Sequence, residues 1–341
     1  MSQVTPEVLS LDANHSAGDL PEVPPAEQPA PDTTADPLPS TLGDYAHGIL
    51  AGHWRKLLKY RDQVLADGEA ESLHQLRVTV RRLRAGLDLF GLALEFPKQG
   101  RPKNLQRLGS ALGEQRDLDV MMKTLTETYR PQVPDTEQIW IDHLTRDLGK
   151  HYPKARRHSH KLLQSKGFDK ICLTWQDWID APTYSPKGSY PLAQSLPLLL
   201  LPALRDVVLH PSWHLELPAC QDPEFVNSVE PLHTLRKALK RLRYQLEQCR
   251  SFYPTTLKTW IQDLKDLQDH LGQINDDQVM RTQFADLLPH DVTLLQVETL
   301  GTLLREESIT AWQQARSNYQ DPPFVLSLYQ GLLDPLLNAP A

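Results

Sequence analysis

A histidine followed by arginines at regular spacing occurs twice in this sequence. Residues 73–90 read LHQLRVTVRRLRAGLDLF, and residues 232–249 read LHTLRKALKRLRYQLEQC. The side chains that recur at matching places are His74, Arg77, Arg81, Arg84, His233, Arg236, Lys240 and Arg243. Guanidinium groups donate paired hydrogen bonds to the oxygens of phosphates and carboxylates. The two segments therefore predict the binding of an anion.

The spacing within these segments is typical of amphipathic α-helices. Successive residues advance about 100° around a helix, so Leu76, Val80 and Leu83 form an apolar stripe beside the cations. Neither residues 72–87 nor residues 231–246 contain an Asp or a Glu. Like charges four positions apart cost about 0.2–0.5 kcal/mol per pair, so something outside each helix must compensate. Two interpretations stay open, namely acids elsewhere in the fold and a bound anion.

A second pair of segments repeats with the same separation as the first. Residues 105–122 read LQRLGSALGEQRDLDVMM, and residues 264–280 keep the Leu-Gly pair and match Asp117 with Asp276. Both pairs are offset by 159 residues, which predicts an internal duplication. Helical spacing recurs along the chain, and no stretch alternates at period two. We predict an all-α protein made of two pseudo-symmetric four-helix bundles.

The acidic charge of the chain is concentrated at its N-terminus. Residues 1–41 hold seven acids, no Lys or Arg and many prolines, which predicts a disordered tail. Without these seven, 36 of the 43 acids remain against 36 Lys and Arg, so attraction for anions must come from local clustering. We predict a first bundle over residues 42–180, a linker over 181–195 and a second bundle over 196–335.

Several classes of function find no support in the sequence. It has no phosphate-binding glycine loop, no H-E-x-x-H and no G-x-S-x-G motif. The three cysteines lack C-x-x-C spacing, and no basic segment followed by an apolar one begins the chain. The most apolar run, Leu196 to Leu204, is broken by prolines and is too short to span a bilayer. We predict a cytoplasmic protein with no cofactor, metal or membrane partner.

A further set of cations lies in the helix predicted from about residue 135 to residue 165. Lys150, Lys154, Arg157 and Lys161 succeed one another at intervals of four, three and four residues, which places them on one helix face. A plain solvent-facing stripe is an equally good interpretation. At the matching places in the second half only Arg316 is a cation. The first half is therefore predicted to be the more basic.

Two sequence blocks resemble those of a known family. The blocks H-x-x-R-V-x-x-R-R-L-R and L-G-x-x-R-D-x-D-V resemble the CHAD family, the conserved-histidine α-helical domain, over residues 42–335. The resemblance implies two four-helix bundles with a basic central groove or pore that binds inorganic polyphosphate. The positions it implies as polyphosphate ligands are His74, Arg77, Arg81, Arg84, Arg116, Lys154, Arg157, His233, Arg236, Lys240, Arg243 and Arg316. Asn275 replaces the arginine of the second block in the second half.

The leading hypothesis is a non-catalytic protein that binds polyphosphate. No E-x-E-x-K motif is present, so the chain resembles a stand-alone member without the CYTH triphosphatase domain that many relatives carry. The resemblance implies association with polyphosphate granules, and polyphosphate-metabolising proteins are expected as further partners.

Two alternatives to this hypothesis remain open. One is a Mg²⁺-dependent polyphosphate or triphosphate hydrolase, since paired aspartates can hold Mg²⁺; we favour the interpretation that they orient arginines. The aspartates concerned are Asp117, Asp119, Asp276 and Asp277. The other is a nucleic-acid-binding protein, which the lack of aromatic residues within the basic stripes disfavours.

Overall fold

The computed structural model describes residues 40–66, 70–97, 102–217, 230–253, 256–287, 298–319 and 322–337. In these ranges the α-helices are α1 (Leu42–Leu65), α2 (Ala70–Phe90), α3 (Pro102–Thr124), α4 (Asp135–Leu163), α5 (Lys166–Asp180), α6 (Leu192–Val208), α7 (Glu230–Gln248), α8 (Thr256–Leu287), α9 (Glu298–Tyr319) and α10 (Pro322–Leu337). Extended pairing within the described ranges is limited to two isolated bridges. The all-α prediction is confirmed. Apart from Ser40 and Thr41, the predicted disordered tail lies outside the described residues.

Several helices begin where a short polar side chain caps the first turn. The Thr41 side chain accepts a hydrogen bond from the amide of Asp44 before α1, and that of Ser165 accepts one from the amide of Phe168 before α5. Such caps satisfy amides that have no partner inside the helix. Helix α3 continues into a wider turn over Leu125–Tyr129. This turn brings Tyr129 into the interior.

The helices pack in two successions that follow the same order. In the first, α2 packs between α1 and α3, and α4 packs on α3. In the second, α7 packs between α6 and α8, and α9 packs on α8. Helix α5 lies against α1 and α4, and α10 lies against α6 and α9. The origin of the two successions by duplication stays a prediction, as does the division at residues 181–195, where α6 already begins at Leu192.

The two successions share one hydrophobic core. It extends from Leu42 in α1 to Leu332 in α10, because α2 packs directly on α7. A smaller cluster joins the far ends of α3 and α4 to α8 and α9 through Tyr129, Ile141 and Met280. The cationic segments predicted from the sequence therefore lie on the two central helices.

The apolar helix α6 is part of this core. The stretch Leu192–His214, which adds a short turn to α6, is long and apolar enough to cross a membrane by length and composition, with a mean hydropathy of 1.5. This stretch is longer than the run considered in the sequence. Core helices satisfy the same criterion, and Leu196, Leu200 and Leu204 are fully buried among α1, α7 and α10.

Candidate functional site

The central helices α2 and α7 place charged side chains inside the fold. Arg77 of α2 and Arg236 and Arg243 of α7 expose only 4%, 2% and 3% of their surface. Arginine is almost never buried to this extent unless an acceptor or an anion pairs with it. The partners of these three guanidinium groups therefore decide what the site can bind.

In the first succession, acceptors within the protein meet the buried cations. Arg77 donates a hydrogen bond from Nη1 to Oδ1 of Asp117 at 2.8 Å. In this contact Asp117 orients an arginine, which is the role that the sequence analysis favoured for it. Arg81 donates from Nη1 to the hydroxyl of Tyr244 at 3.3 Å, across the contact between α2 and α7. For Arg77 an acid elsewhere in the fold therefore supplies the compensation, whereas the partner described for Arg81 is a neutral hydroxyl.

Glu247 of α7 joins cations from both central helices. Its Oε2 accepts from Nε of Arg82 at 3.0 Å, and its Oε1 accepts from Nη1 of Arg243 at 2.8 Å. Arg243 also donates from Nε to Oε1 of Gln268 at 2.9 Å and lies 4.5 Å from the ring centre of Tyr244. These contacts fix the plane of the Arg243 guanidinium where α2 meets α7.

Arg236 differs from its counterpart Arg77. Its Nε and Nη2 are buried and have no hydrogen-bond partner among the described residues. Asp276, which matches Asp117, makes no ion pair with it. A guanidinium has donors only, and a buried donor without an acceptor costs about 1–3 kcal/mol. The site at Arg236 thus has the properties expected of a place for an anion.

Helix α9 contributes two more cations with unpaired buried donors. The Nε atoms of Arg305 and Arg316 are buried and have no hydrogen-bond partner within the described ranges. The two residues are eleven positions apart, which puts them on one side of the helix at a distance of about 16 Å. The sequence interpretation missed Arg305. Its signal was Arg146, a cation at the matching position of the first half.

The two histidines that open the stripes are half-buried. The ring Nδ1 of His233 lies 2.6 Å from Oδ1 of Asn275. Since an amide oxygen only accepts, Nδ1 carries the proton. Asn275 occupies the place that Arg116 has in the first half. The replacement removes a cation and supplies an acceptor that orients the histidine.

Three further predicted ligands, Arg84, Arg116 and Lys240, are half-buried. Burial lowers the pKa of Arg84, and the neighbouring charge of Arg81 lowers it further. Burial also raises the pKa of Asp119, against the opposing influence of Arg116. Lys240 is half-buried on α7. An anion near Arg84 would relieve part of the repulsion between the two arginines.

The structure does not bury Lys154 and Arg157 with the other predicted ligands. Both are exposed on α4. The sequence favoured the first half as the more basic, whereas the buried Nε atoms without a hydrogen-bond partner in the described ranges include those of Arg236, Arg305 and Arg316 in the second half. The first half of the chain therefore has the exposed cations of α4, whereas the second half has these buried donors without partners.

The aspartates of the second block have structural contacts. Asp277 is buried and accepts from the Ser308 hydroxyl at 2.7 Å and from the Gln273 amide at 3.0 Å. The Tyr129 hydroxyl lies 3.3 Å from Asp277 and 2.8 Å from Glu307. Within the described ranges, no three His, Cys, Asp or Glu side chains are grouped as metal ligands would be.

Fold and site together define an all-helical protein with arginines buried on its two central helices. Residues 48–285 match the CHAD domain family, and the chain belongs to this family. The chain is similar in structure to "PptA from Streptomyces chartreusis", with a TM-score of 0.61 and 18% identity over 83% of this chain and 98% of the other.

A second solved structure shares the fold. It is the CHAD domain from the plant Ricinus communis, with a TM-score of 0.57 and 21% identity over 88% of this chain and 94% of the other. At these identities the likeness to both structures concerns the fold alone. No match is found among curated proteins.

Proposed function

We propose that this protein binds inorganic polyphosphate, without catalysis, along the buried cations of α2, α7 and α9. The observation that carries the proposal is Arg236, which is 2% exposed and keeps two buried guanidinium nitrogens without an acceptor among the described residues. Membership of the CHAD family, whose resemblance implies polyphosphate binding, supports the same ligand. The anion would supply the acceptors that Arg77 finds in Asp117.

Polyphosphate suits these cations chemically. Each phosphate of the chain presents oxygens that guanidinium groups can meet with paired hydrogen bonds. The site is screened from water, so charge pairs formed there are stronger than on the surface. A ligand without bases needs no stacking aromatics, in contrast to single-stranded nucleic acid.

The proposed residues hold charge and position the ligand. Arg243 is oriented by Gln268 and Glu247, and His233 by Asn275. Arg305 and Arg316 extend the run of donors along α9. No nucleophile or general base is assigned in this arrangement, because two of the four aspartates considered for a metal-dependent reaction, Asp117 and Asp277, are engaged with Arg77 and Ser308.

The proposal is tested by calorimetric titration of long-chain polyphosphate into the full chain near physiological salt. We expect binding that weakens with salt, with a log–log slope of about 0.7 per phosphate neutralised if the ligand behaves as a single strand. Arg236→Gln should weaken binding at least tenfold, which corresponds to about 1.4 kcal/mol. The control is Lys237→Gln, which removes an exposed cation from the same helix.

Two outcomes of that titration would contradict the proposal. One is the absence of binding by the folded chain, and the other is equal loss of affinity in the Arg236 and Lys237 variants. Single-stranded RNA added at the same ionic strength should compete poorly. Release of phosphate that requires Mg²⁺ and is lost in Asp117→Asn would instead favour a hydrolase.

A cytoplasmic location with association to polyphosphate granules is part of the same proposal. A fluorescent fusion of the wild-type chain should co-localise with stained granules, and the Arg236→Gln fusion should not. Polyphosphate-metabolising proteins recovered with the wild-type fusion only would identify the further partners. A diffuse signal from both fusions would contradict the granule association and leave the binding proposal to the titration.

A further inference from the structure

A second cationic surface lies outside the buried site. Residues 146–170, from the second half of α4 into α5, contain eight Lys and Arg against two Asp. All eight cations are exposed, and we call them the α4 cationic surface. They are Arg146, Lys150, Lys154, Arg156, Arg157, Lys161, Lys166 and Lys170.

Three cations of this surface have no acidic partner among the described residues. Lys150 pairs with Asp147 one turn earlier. Lys154, Arg157 and Lys161 make no ion pair or hydrogen bond with any described residue. The mutual repulsion of these exposed cations favours a multivalent anionic partner over isolated counterions.

The chain itself carries a segment of the required charge. Residues 1–41 have seven acids and no Lys or Arg. The acids are Glu7, Asp12, Asp19, Glu22, Glu27, Asp32 and Asp36. Because the segment is covalently attached, its local concentration near the fold exceeds that of any free peptide. Its charge complements the α4 cationic surface.

The geometry of α1 lets the N-terminal segment reach this surface. The carbonyl of Ser40 accepts from the amide of Leu192, which fixes where the segment joins the fold. Helix α1 has 24 residues and is therefore about 36 Å long. Near its other end, Arg61 donates a hydrogen bond to the carbonyl of Leu163 at the end of α4. The 39 residues before Ser40 span up to about 130 Å when extended. The distance is therefore well within reach.

We propose that the acidic N-terminal segment docks on the α4 cationic surface and competes there with external polyanions. The segment acts as an internal anion that holds Lys154 and Arg157 until a denser anion displaces it. The docking itself does not depend on the proposed function, whereas the competition rests on polyphosphate binding.

Zero-length cross-linking of the full chain tests the docking. A carbodiimide joins carboxylates to lysines in direct contact, and peptide mass spectrometry identifies the joined residues. We expect tail acids to be joined to Lys154 and Lys161 in preference to Lys237 and Lys258, which are equally exposed on α7 and α8. The preference should vanish in 1 M salt, where the screening length is about 3 Å. Equal joining to all four lysines would overturn the proposal.

A pair of variants tests the competition. Changing the seven tail acids to their amides should raise the affinity for long-chain polyphosphate several-fold. In a chain that already carries Lys154→Gln, Arg157→Gln and Lys161→Gln, the same change should have no effect. An equal gain in both backgrounds would show general repulsion and overturn the docking.

The results separate this inference from the proposed function. Preferential cross-links in a chain that binds no polyphosphate would support the docking and overturn the proposed function. Polyphosphate binding without preferential cross-links would overturn the docking and leave the buried site standing.

Discussion

Two arginines at equivalent positions of the repeat have opposite surroundings. Arg77 is paired with Asp117 at 2.8 Å, whereas Arg236 has two buried nitrogens without acceptors among the described residues. A satisfied buried ion pair contributes little net stability, but a buried charge without a partner is destabilising. The protein therefore holds an unfavourable charge at Arg236, which the anion of the proposed function would relieve.

Substitution of the two arginines should change stability in opposite directions. Arg236→Met removes unpaired donors and should raise the free energy of unfolding of the ligand-free chain by about 1–3 kcal/mol. Arg77→Met removes the charge-assisted hydrogen bond from Arg77 to the half-buried carboxylate of Asp117 and should lower this free energy by a similar amount. Urea unfolding of both variants in low-phosphate buffer provides the measurement. Destabilisation by Arg236→Met would mean that the guanidinium is already compensated.

At the scale of elements, helix α4 holds the start of helix α9. The carboxylate of Glu137 accepts from the amides of Thr299 at 2.9 Å and Leu300 at 3.1 Å. An acid at a helix N-terminus meets unpaired amides and the positive end of the helix dipole. This contact joins α4 to the start of the helix that carries Arg305 and Arg316.

Loss of this carboxylate should weaken the fold. Glu137→Ala removes two charge-assisted hydrogen bonds from a residue that is 7% exposed, so we expect the free energy of unfolding to fall by about 3 kcal/mol. Glu127→Ala is the control, because the Glu127 side chain is 65% exposed and its ion pair with Lys123 is long, at 3.8 Å. Urea unfolding should show almost no change for the control. Equal effects would contradict the capping role.

A histidine between α1 and α7 makes stability depend on pH. His53 Nε2 lies 2.7 Å from Oε1 of Gln248, and burial lowers the pKa of His53 from 6.5 to about 4. Below pH 6.5 His53 takes up a proton in the unfolded chain but stays neutral in the folded chain. The free energy of unfolding therefore falls as the pH drops towards 4.

The contribution of His53 over this window is about 3 kcal/mol. His53→Gln should therefore flatten the dependence of the unfolding free energy on pH between 4 and 6.5. The exposed His151→Gln should keep the wild-type slope. Unfolding by urea at several pH values gives both curves, and identical slopes for wild type and His53→Gln would refute the assignment.

At the scale of the whole molecule, one core joins both successions of helices. Because the cluster runs from α1 to α10 through the contact of α2 with α7, we expect the two predicted bundles to unfold together. Hydrogen exchange in rising urea should give Leu83 in α2 and Leu242 in α7 the same free energy of opening. A separate, earlier opening of α7 would show that the predicted division is also an energetic one.

The periodic features of the protein were predictable from its sequence. Helical spacing is local, so residues 73–90 and 232–249 are sufficient to predict α2 and α7 and to place their cations beside the apolar stripe. The repeated blocks indicated the CHAD family, which the match over residues 48–285 confirms. The role of Asp117 as a partner of arginine was also accessible, because it needs only charge and hydrogen-bond chemistry.

Only the tertiary structure decided which cations have acceptors. Arg77 and Arg236 share one sequence pattern, yet the packing of α3 gives Arg77 an aspartate, while Arg236 has no corresponding acceptor among the described residues. Arg82 and Arg243 meet at Glu247 because α2 packs on α7. Such contacts join residues far apart in the chain and depend on side-chain distances of a few ångströms. The helical period of the sequence does not predict these distances. The spacing of the residues located the positive charge on two helices, and packing determined which of these cations have acceptors within the described part of the fold.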